Sequence, residues 1–110
     1  MQFSANIGFL YADLALPERI RAAKRDGFDA VECHFPYDIP VADMRAALEA
    51  TGLAMLGLNT RPGHVAAGDF GLAALAGRAE EARAAVREAV AYGAAMSAGA
   101  VHVMAGKTDG

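Results

Sequence analysis

A single cysteine, Cys33, stands in a chain of 110 residues, so no internal disulfide can form and the fold must rest on its core. Tryptophan is absent and proline occurs only four times. There is no basic stripe either: ten Lys and Arg are scattered among thirteen Asp and Glu, for a formal net charge of -3. With nothing to neutralise a row of phosphates, nucleic acid and anionic membrane are not expected partners. The longest apolar windows, such as Leu53 to Leu58, are too short to span a bilayer, and the N-terminus lacks the basic segment and apolar stretch of a secretory signal. A soluble protein in a reducing cytoplasm is the expectation. Apolar side chains, in contrast, are plentiful. At 55% hydrophobic and 21% charged the chain suits one globular domain and is too apolar for disorder.

Four runs have strand character: Phe3 to Leu10, Ala30 to Phe35, Leu53 to Asn59 and Ala100 to Ala105. Between them lie three helical segments. The first starts at Pro17, carries Leu16, Ile20 and Ala23 at i, i+4, i+7, and stops at Gly27. The second opens with Pro40, sets Val41, Met44 and Leu48 on one face, and stops at Gly52. The third runs from Arg78 to Ser97, with Ala79, Ala82, Val86, Val90 and Gly93 facing one way, and closes at Gly99. The segments "RDGFDAVE", "ATGLAMLG" and "SAGAVHVM" thus repeat one device, a glycine followed within three residues by a strand. This β-α-β-α-β-α-β alternation predicts right-handed crossovers and a parallel sheet in strand order 1-2-3-4.

Period-2 alternation gives each strand one apolar face and one mixed face. Ala5, Ile7 and Phe9 oppose Ser4, Asn6 and Gly8; Val31, Cys33 and Phe35 oppose Glu32 and His34. Leu56 and Leu58 oppose Gly57 and Asn59, and Val101 and Val103 oppose His102, Met104 and Gly106. Helices can cover the apolar faces. The mixed faces suit the interior of a (β/α)8 barrel, whose strand ends supply site residues. Such a barrel needs about 250 residues, so residues 1–110 read as its N-terminal half, an apparent fragment cut after the fourth strand at "MAGKTDG".

Glu32 and His34, at i and i+2 on one face, could join His102 as three ligands of a divalent metal. The simpler reading, which we favour, is that Glu32 hydrogen-bonds inside the barrel and His34 caps a neighbouring loop. Cys33 on the opposite face reads as a small buried hydrophobe. The stretch from Asn59 to Arg78 is long for a strand-to-helix connection and its glycines permit unusual turns, which favours a binding loop or lid over a surface excursion packed by Val65, Phe70, Leu72 and Leu75. "GKT" at Gly106 to Thr108 fails as a phosphate loop, because the Walker spacing wants glycine at 101 and finds Val101.

"FSANIGFL", "GFDAVECHFPYD", "AAGDFGLAALAGR" and "HVMAGKT", in this order and spacing, resemble the hydroxypyruvate isomerase family of xylose isomerase-like TIM barrels, over its N-terminal half. The closely similar 2-oxo-tetronate isomerases share these segments. The resemblance implies an aldose-ketose isomerisation, hydroxypyruvate to tartronate semialdehyde through an enediolate, in which paired glutamates move the proton and a divalent metal, Mg2+ or Mn2+, stabilises the oxyanion. Those catalytic residues and metal ligands fall in the second half of the family's barrel, so none is assigned here, and residues 1–110 by themselves are expected to be inactive. The resemblance places Asn6, Glu32, Asn59, His102 and Lys107 inside the pocket or at its rim. In the loop, His64 and Val65 stand where relatives carry an acid and an aromatic, which bears on substrate preference. The expected substrate is a small hydroxy-keto acid or sugar-like molecule. A sugar epimerase or a DNA-repair endonuclease of the same fold, and a non-catalytic half-barrel assembly module, stay open as alternatives, as does a homo-oligomer.

Overall fold

The computed structural model describes residues 1–67, 69 and 71–106. In chain order these form β1 (Ser4–Asn6), α1 (Leu16–Arg25), β2 (Ala30–Glu32), α2 (Val41–Thr51), β3 (Ala54–Met55), β4 (Gly57–Asn59), a 3-10 turn (Val65–Ala67), α3 (Ala79–Ala95) and β5 (Ala100–His102). Every strand pairing is parallel: Ala5 opposite Val31, Val31 opposite Met55, and Leu58 opposite Val101. The ladder breaks at Leu56, yet backbone bonds carry the sheet across it, from Leu56 N–H to Val31 O (2.8 Å), Cys33 N–H to Gly57 O (3.0 Å) and Gly99 N–H to Met55 O (3.1 Å). The four expected strands therefore lie side by side in the order 1-2-3-4. Ala5, Ile7, Val31, Cys33, Met55 and Leu58 pack beneath Ile20, Ala23, Met44, Ala47, Leu48 and Met96, giving a helical layer on one face only.

All four strand expectations need correction, the fourth strand ending at His102 instead of Ala105. The first strand stops at Asn6 instead of running to Leu10, because the Asn6 Oδ1 accepts the Gly8 N–H (2.9 Å) and its carbonyl accepts the N–H groups of Phe9 and Leu10. This side-chain turn competes with the ladder, and it leaves Phe9 73% exposed instead of in the core. In the third strand the extra residue at Leu56 acts as a bulge that changes which side chains face inward. Met55, expected on the mixed face, is buried, and Leu56, expected on the apolar face, is exposed. The second strand pairs regularly only to Glu32.

The helices form where expected, but α3 presents a different face. Ala85, Ala89 and Gly93 are buried, while Ala79 and Val90 are exposed. A Cβ on Gly93 would lie 3.1 Å from Leu58 Cδ2 and 3.5 Å from Val101 Cγ2, so only small residues allow this close approach to the sheet. Val90 turns away from it, while Val86 stays half-buried.

The helix stops also differ. Gly27 and Gly52 take left-handed φ values of 91° and 71°, as their role requires. After α3 the left-handed residue is Ser97, at φ 56°, with its N–H on Ala94 O and the Ala98 N–H on Gly93 O. Gly99 serves packing instead, since a Cβ there would sit 3.1 Å from the Leu56 carbonyl oxygen. Ser97→Gly removes the left-handed strain and is expected to stabilise the fold by about 0.5–1 kcal/mol. Thermal melting would read this as a rise of a few degrees; an unchanged or lower midpoint would show that Ser97 carries no such strain.

Candidate functional site

On the face of the sheet opposite the helices, Asn6, Glu32, His34, Asn59 and His102 line an open trough of about 400 Å3. Strand alternation explains their company: Asn6 is opposite Glu32 and Asn59 is opposite His102 in the register, so side chains of equal parity project to one side. Four of the expected pocket residues, Asn6, Glu32, Asn59 and His102, thus share one concavity. His34, which sequence reasoning treated as a loop cap, is the fifth polar member. Lys107 lies outside the described residues. Cys33 turns its side chain into the core, where burial pushes the thiol up to about 12 and keeps it inert as a nucleophile.

The turn after β1 fixes the His34 ring. Gly8 packs against it so closely that a Cβ would come within 2.5 Å of His34 Cε1 and Cγ. The Phe9 ring meets it edge-on, at 4.6 Å between centroids and 83° between planes, and Phe35 lies 5.9 Å away. Arg19 in turn clamps the start of this loop, donating to the carbonyls of Ile7 (2.8 Å), Ala12 (3.1 Å) and Leu14 (2.7 Å).

Asn59 is braced from behind. The Tyr37 hydroxyl donates to the Asn59 carbonyl, and the Arg61 guanidinium stacks 5.0 Å over the Tyr37 ring while pairing with Glu88 (2.7 Å) and Asp38 (3.5 Å). Burial raises the Tyr37 hydroxyl pKa well above its ordinary value, and that of Tyr92, which donates to Ile39 O at 2.7 Å, to about 12. Both tyrosines therefore stay protonated donors at neutral pH.

His64 is placed apart from the trough. It borders a groove with Arg61, Gly63, Leu72 and Glu81 on the α3 side. The long loop that carries it folds back on itself: Asp69 accepts the His64 N–H (2.8 Å) and an Arg78 N–H (2.9 Å), while Leu72 and Ala74 donate to the carbonyls of Met104 and Ala105. Leu72 is buried as expected of the packed loop, whereas Val65 is exposed, and Phe70 lies outside the described residues.

A family model described as a xylose isomerase-like TIM barrel matches residues 20–110. The chain belongs to the xylose isomerase-like TIM barrel family. Among similar proteins, a 2-oxo-tetronate isomerase of Cupriavidus necator is 43% identical over 105 residues, covering 96% of this chain and 40% of that protein. A hydroxypyruvate isomerase of Escherichia coli is 33% identical over 108 residues, covering 98% of this chain and 42% of that protein. The crystal structure of an AP endonuclease, family 2, from Brucella melitensis superposes with a TM-score of 0.92 at 36% identity, covering 99% of this chain and 42% of that one. A 3-keto-D-glucoside 4-epimerase of Escherichia coli, at 15% identity and a TM-score of 0.72, shares the fold. The chain spans about 40% of the length of these isomerase relatives.

In this xylose isomerase-like half-barrel the trough occupies the inner wall, at the carboxyl ends of the strands, where the barrel architecture places its sites. Among the described residues, no three His, Cys, Asp or Glu side chains come together as a metal site. Glu32, His34 and His102 line one trough without forming a ligand set. No helix of the described residues is long and apolar enough to cross a membrane.

Proposed function

We propose that the whole protein is an aldose-ketose type isomerase acting on a small hydroxy-keto acid, converting hydroxypyruvate to tartronate semialdehyde, or a 2-oxo-tetronate by the same proton transfer. One observation carries this reading: a polar trough on the inner sheet face of a chain whose relatives are a hydroxypyruvate isomerase and a 2-oxo-tetronate isomerase. Such an isomerisation needs a group to move a proton between adjacent carbons and positive charge to stabilise the enediolate oxygen. A divalent metal, Mg2+ or Mn2+, would supply that charge. The described residues assemble no ligand cluster for it, and on this reading this half contributes the wall that binds and orients the substrate. Asn6, whose Oδ1 is held by Gly8, leaves its amide group for a substrate oxygen, and Asn59 is fixed by Tyr37 and Arg61. The protein would work in the cytoplasm.

Glu32, expected to be hydrogen-bonded inside the barrel, instead sits between these amides with its side chain accepting no hydrogen bond among the described residues, because its neighbours Asn6 and Asn59 are engaged elsewhere, and its carboxylate is left to substrate hydroxyls. Its role is binding, not proton transfer. In the complete enzyme, Glu32→Gln is expected to raise KM about ten-fold, equivalent to the roughly 1.4 kcal/mol of a hydrogen bond to a charged group, with a smaller change in kcat. Loss of turnover with KM and fold intact would instead make Glu32 the proton-transfer group. The function itself is tested by assaying the complete protein on hydroxypyruvate and 2-oxo-tetronates with Mg2+ or Mn2+. Absence of turnover on both would overturn it.

The endonuclease alternative is disfavoured by charge. Arg61 pairs with Glu88 and Asp38, and Arg78 with Asp69 and Glu81. Arginines neutralised in this way are poorly placed to release counterions from a nucleic-acid backbone.

A further inference from the structure

We infer that His34 is a specificity-determining residue, an imidazole pre-set in the trough to take the carboxylate of the substrate. The inference rests on the hydroxy-keto acid reading above and adds the group that would distinguish such an acid from a neutral sugar. Among the described residues lining the trough there is no Lys or Arg, and the carboxylate of Glu32 already contributes negative charge. An anionic substrate entering there needs a strong donor. The two imidazoles, His34 and His102, are the side chains of the described lining that offer ring N–H donors to an anion.

Their settings differ. His102 ends β5, the outer strand, and is exposed. His34 is half-buried, and its ring is gripped by the Gly8 backbone, the Phe9 edge and Phe35, with its own carbonyl tied to the Asn59 N–H (2.9 Å). The Gly8 backbone packs against Nδ1, Cε1 and Cγ of the ring. No buried side-chain nitrogen or oxygen of the described residues lacks a partner, and no described protein group bonds the His34 ring, so its nitrogens are open to solvent while the residue lines the trough. A loop clamped by Arg19 through three carbonyls is a costly way to hold an idle ring. It is a suitable way to hold a donor in one orientation, since fixing the group beforehand removes the entropy of ordering it on binding. The titratable groups that share its space are Glu32 at the end of β2, two residues before it, and His102 on β5; the turn after β1 contributes none at the contact.

The test compares hydroxypyruvate with dihydroxyacetone, which carries a CH2OH in place of the carboxylate, in the complete enzyme. His34→Gln is expected to lower the ratio of kcat/KM for hydroxypyruvate over dihydroxyacetone about ten-fold, the size of one charge-assisted contact. Calorimetric binding of tartronate, an unreactive carboxylate, should weaken to a similar degree. Gly8→Ala keeps the imidazole but displaces its ring, so it should reproduce both losses. If His34→Gln impairs the acid and the neutral substrate equally, or neither, or if tartronate binds as before, the inference is wrong. The tartronate measurement stands even if the complete protein does not isomerise hydroxypyruvate, so failure of the isomerase reading and failure of the His34 assignment are separable.

Discussion

Gly71→Ala is expected to lift the loop between β4 and α3 off the sheet. Gly71 has a φ of 122°, a region essentially closed to residues with a side chain, and a Cβ there would lie 2.6 Å from the Met104 Cβ and closer still to the Met104 carbonyl. Because Met104 is backbone-bonded into the same junction, it cannot step aside without breaking the contacts that dock the loop. Those are Leu72 N–H to Met104 O (3.0 Å), Ala73 N–H to Met104 O (3.3 Å) and Ala74 N–H to Ala105 O (2.8 Å). Losing two or three such bonds, plus the strain, amounts to about 2–4 kcal/mol. Amide exchange at Leu72, Ala73 and Ala74 should then accelerate at least roughly thirty-fold, while the amides of α1 and α2 keep their protection. Unchanged exchange in a folded variant would show that the loop is anchored elsewhere. Asp69 at the loop base adds a pH dependence. The His64 N–H, and then Arg78, hold its carboxyl below the usual range. Its contribution is complete above the unfolded carboxyl value of about 4 and is lost as pH falls through the lower folded value.

The sequence was most legible where one residue type has one job. Gly27 and Gly52 stop helices, Pro17 opens one, and the alternation of strands and helices fixes a parallel order that the pairings follow. The errors came where short-range chemistry outvotes periodicity. Asn6 ends a strand by bonding the Gly8 N–H, a choice invisible to a count of alternating apolar residues. The bulge at Leu56 shifts which side chains face the core, and no composition signal marks it, since Met55, Leu56 and Leu58 are all apolar. For α3, the valines suggested the buried face, but the small residues set it, because close approach to Leu58 and Val101 matters more than side-chain size. The trough residues were legible from strand parity alone. Parity puts His34 on the trough face too, but its grip by Gly8 and Phe9 depends on that unforeseen turn, and nothing in the sequence says which way the long loop carrying His64 folds.

The largest effect is expected from the 110-residue chain on its own, which should self-associate and show no isomerase turnover with Mg2+ or Mn2+. Its shape is the first reason. The radius of gyration is 14.6 Å and the principal extents are 44 × 26 × 22 Å, whereas a compact domain of this length has a radius of about 13 Å. A helical layer covers one face of the sheet, and the other holds the trough open to water. The sheet edges are the second reason: among the described residues β1 pairs with β2 alone and β5 with β4 alone, so each keeps an unpaired backbone row of the kind that recruits another chain. Phe9, Phe35 (39% exposed) and Leu56 (44% exposed) add apolar surface near the rim and sheet. At about 25 cal/mol per Å2, uncovered side chains of this size forfeit several kcal/mol, comparable with the roughly 5–15 kcal/mol that stabilises a whole domain. Pairing of edges between two copies would recover part of that loss, so sedimentation should show a mass that rises with concentration, and melting should be broad and concentration-dependent. Lysine substitutions at Ser4 and Ala100, which put charge on both edges, should shift the chain towards monomer and lower its melting midpoint. A wild-type chain that stays monomeric and melts cooperatively above about 60 °C, near the top of the usual mesophile range, would mean that these four strands already bury a self-sufficient core.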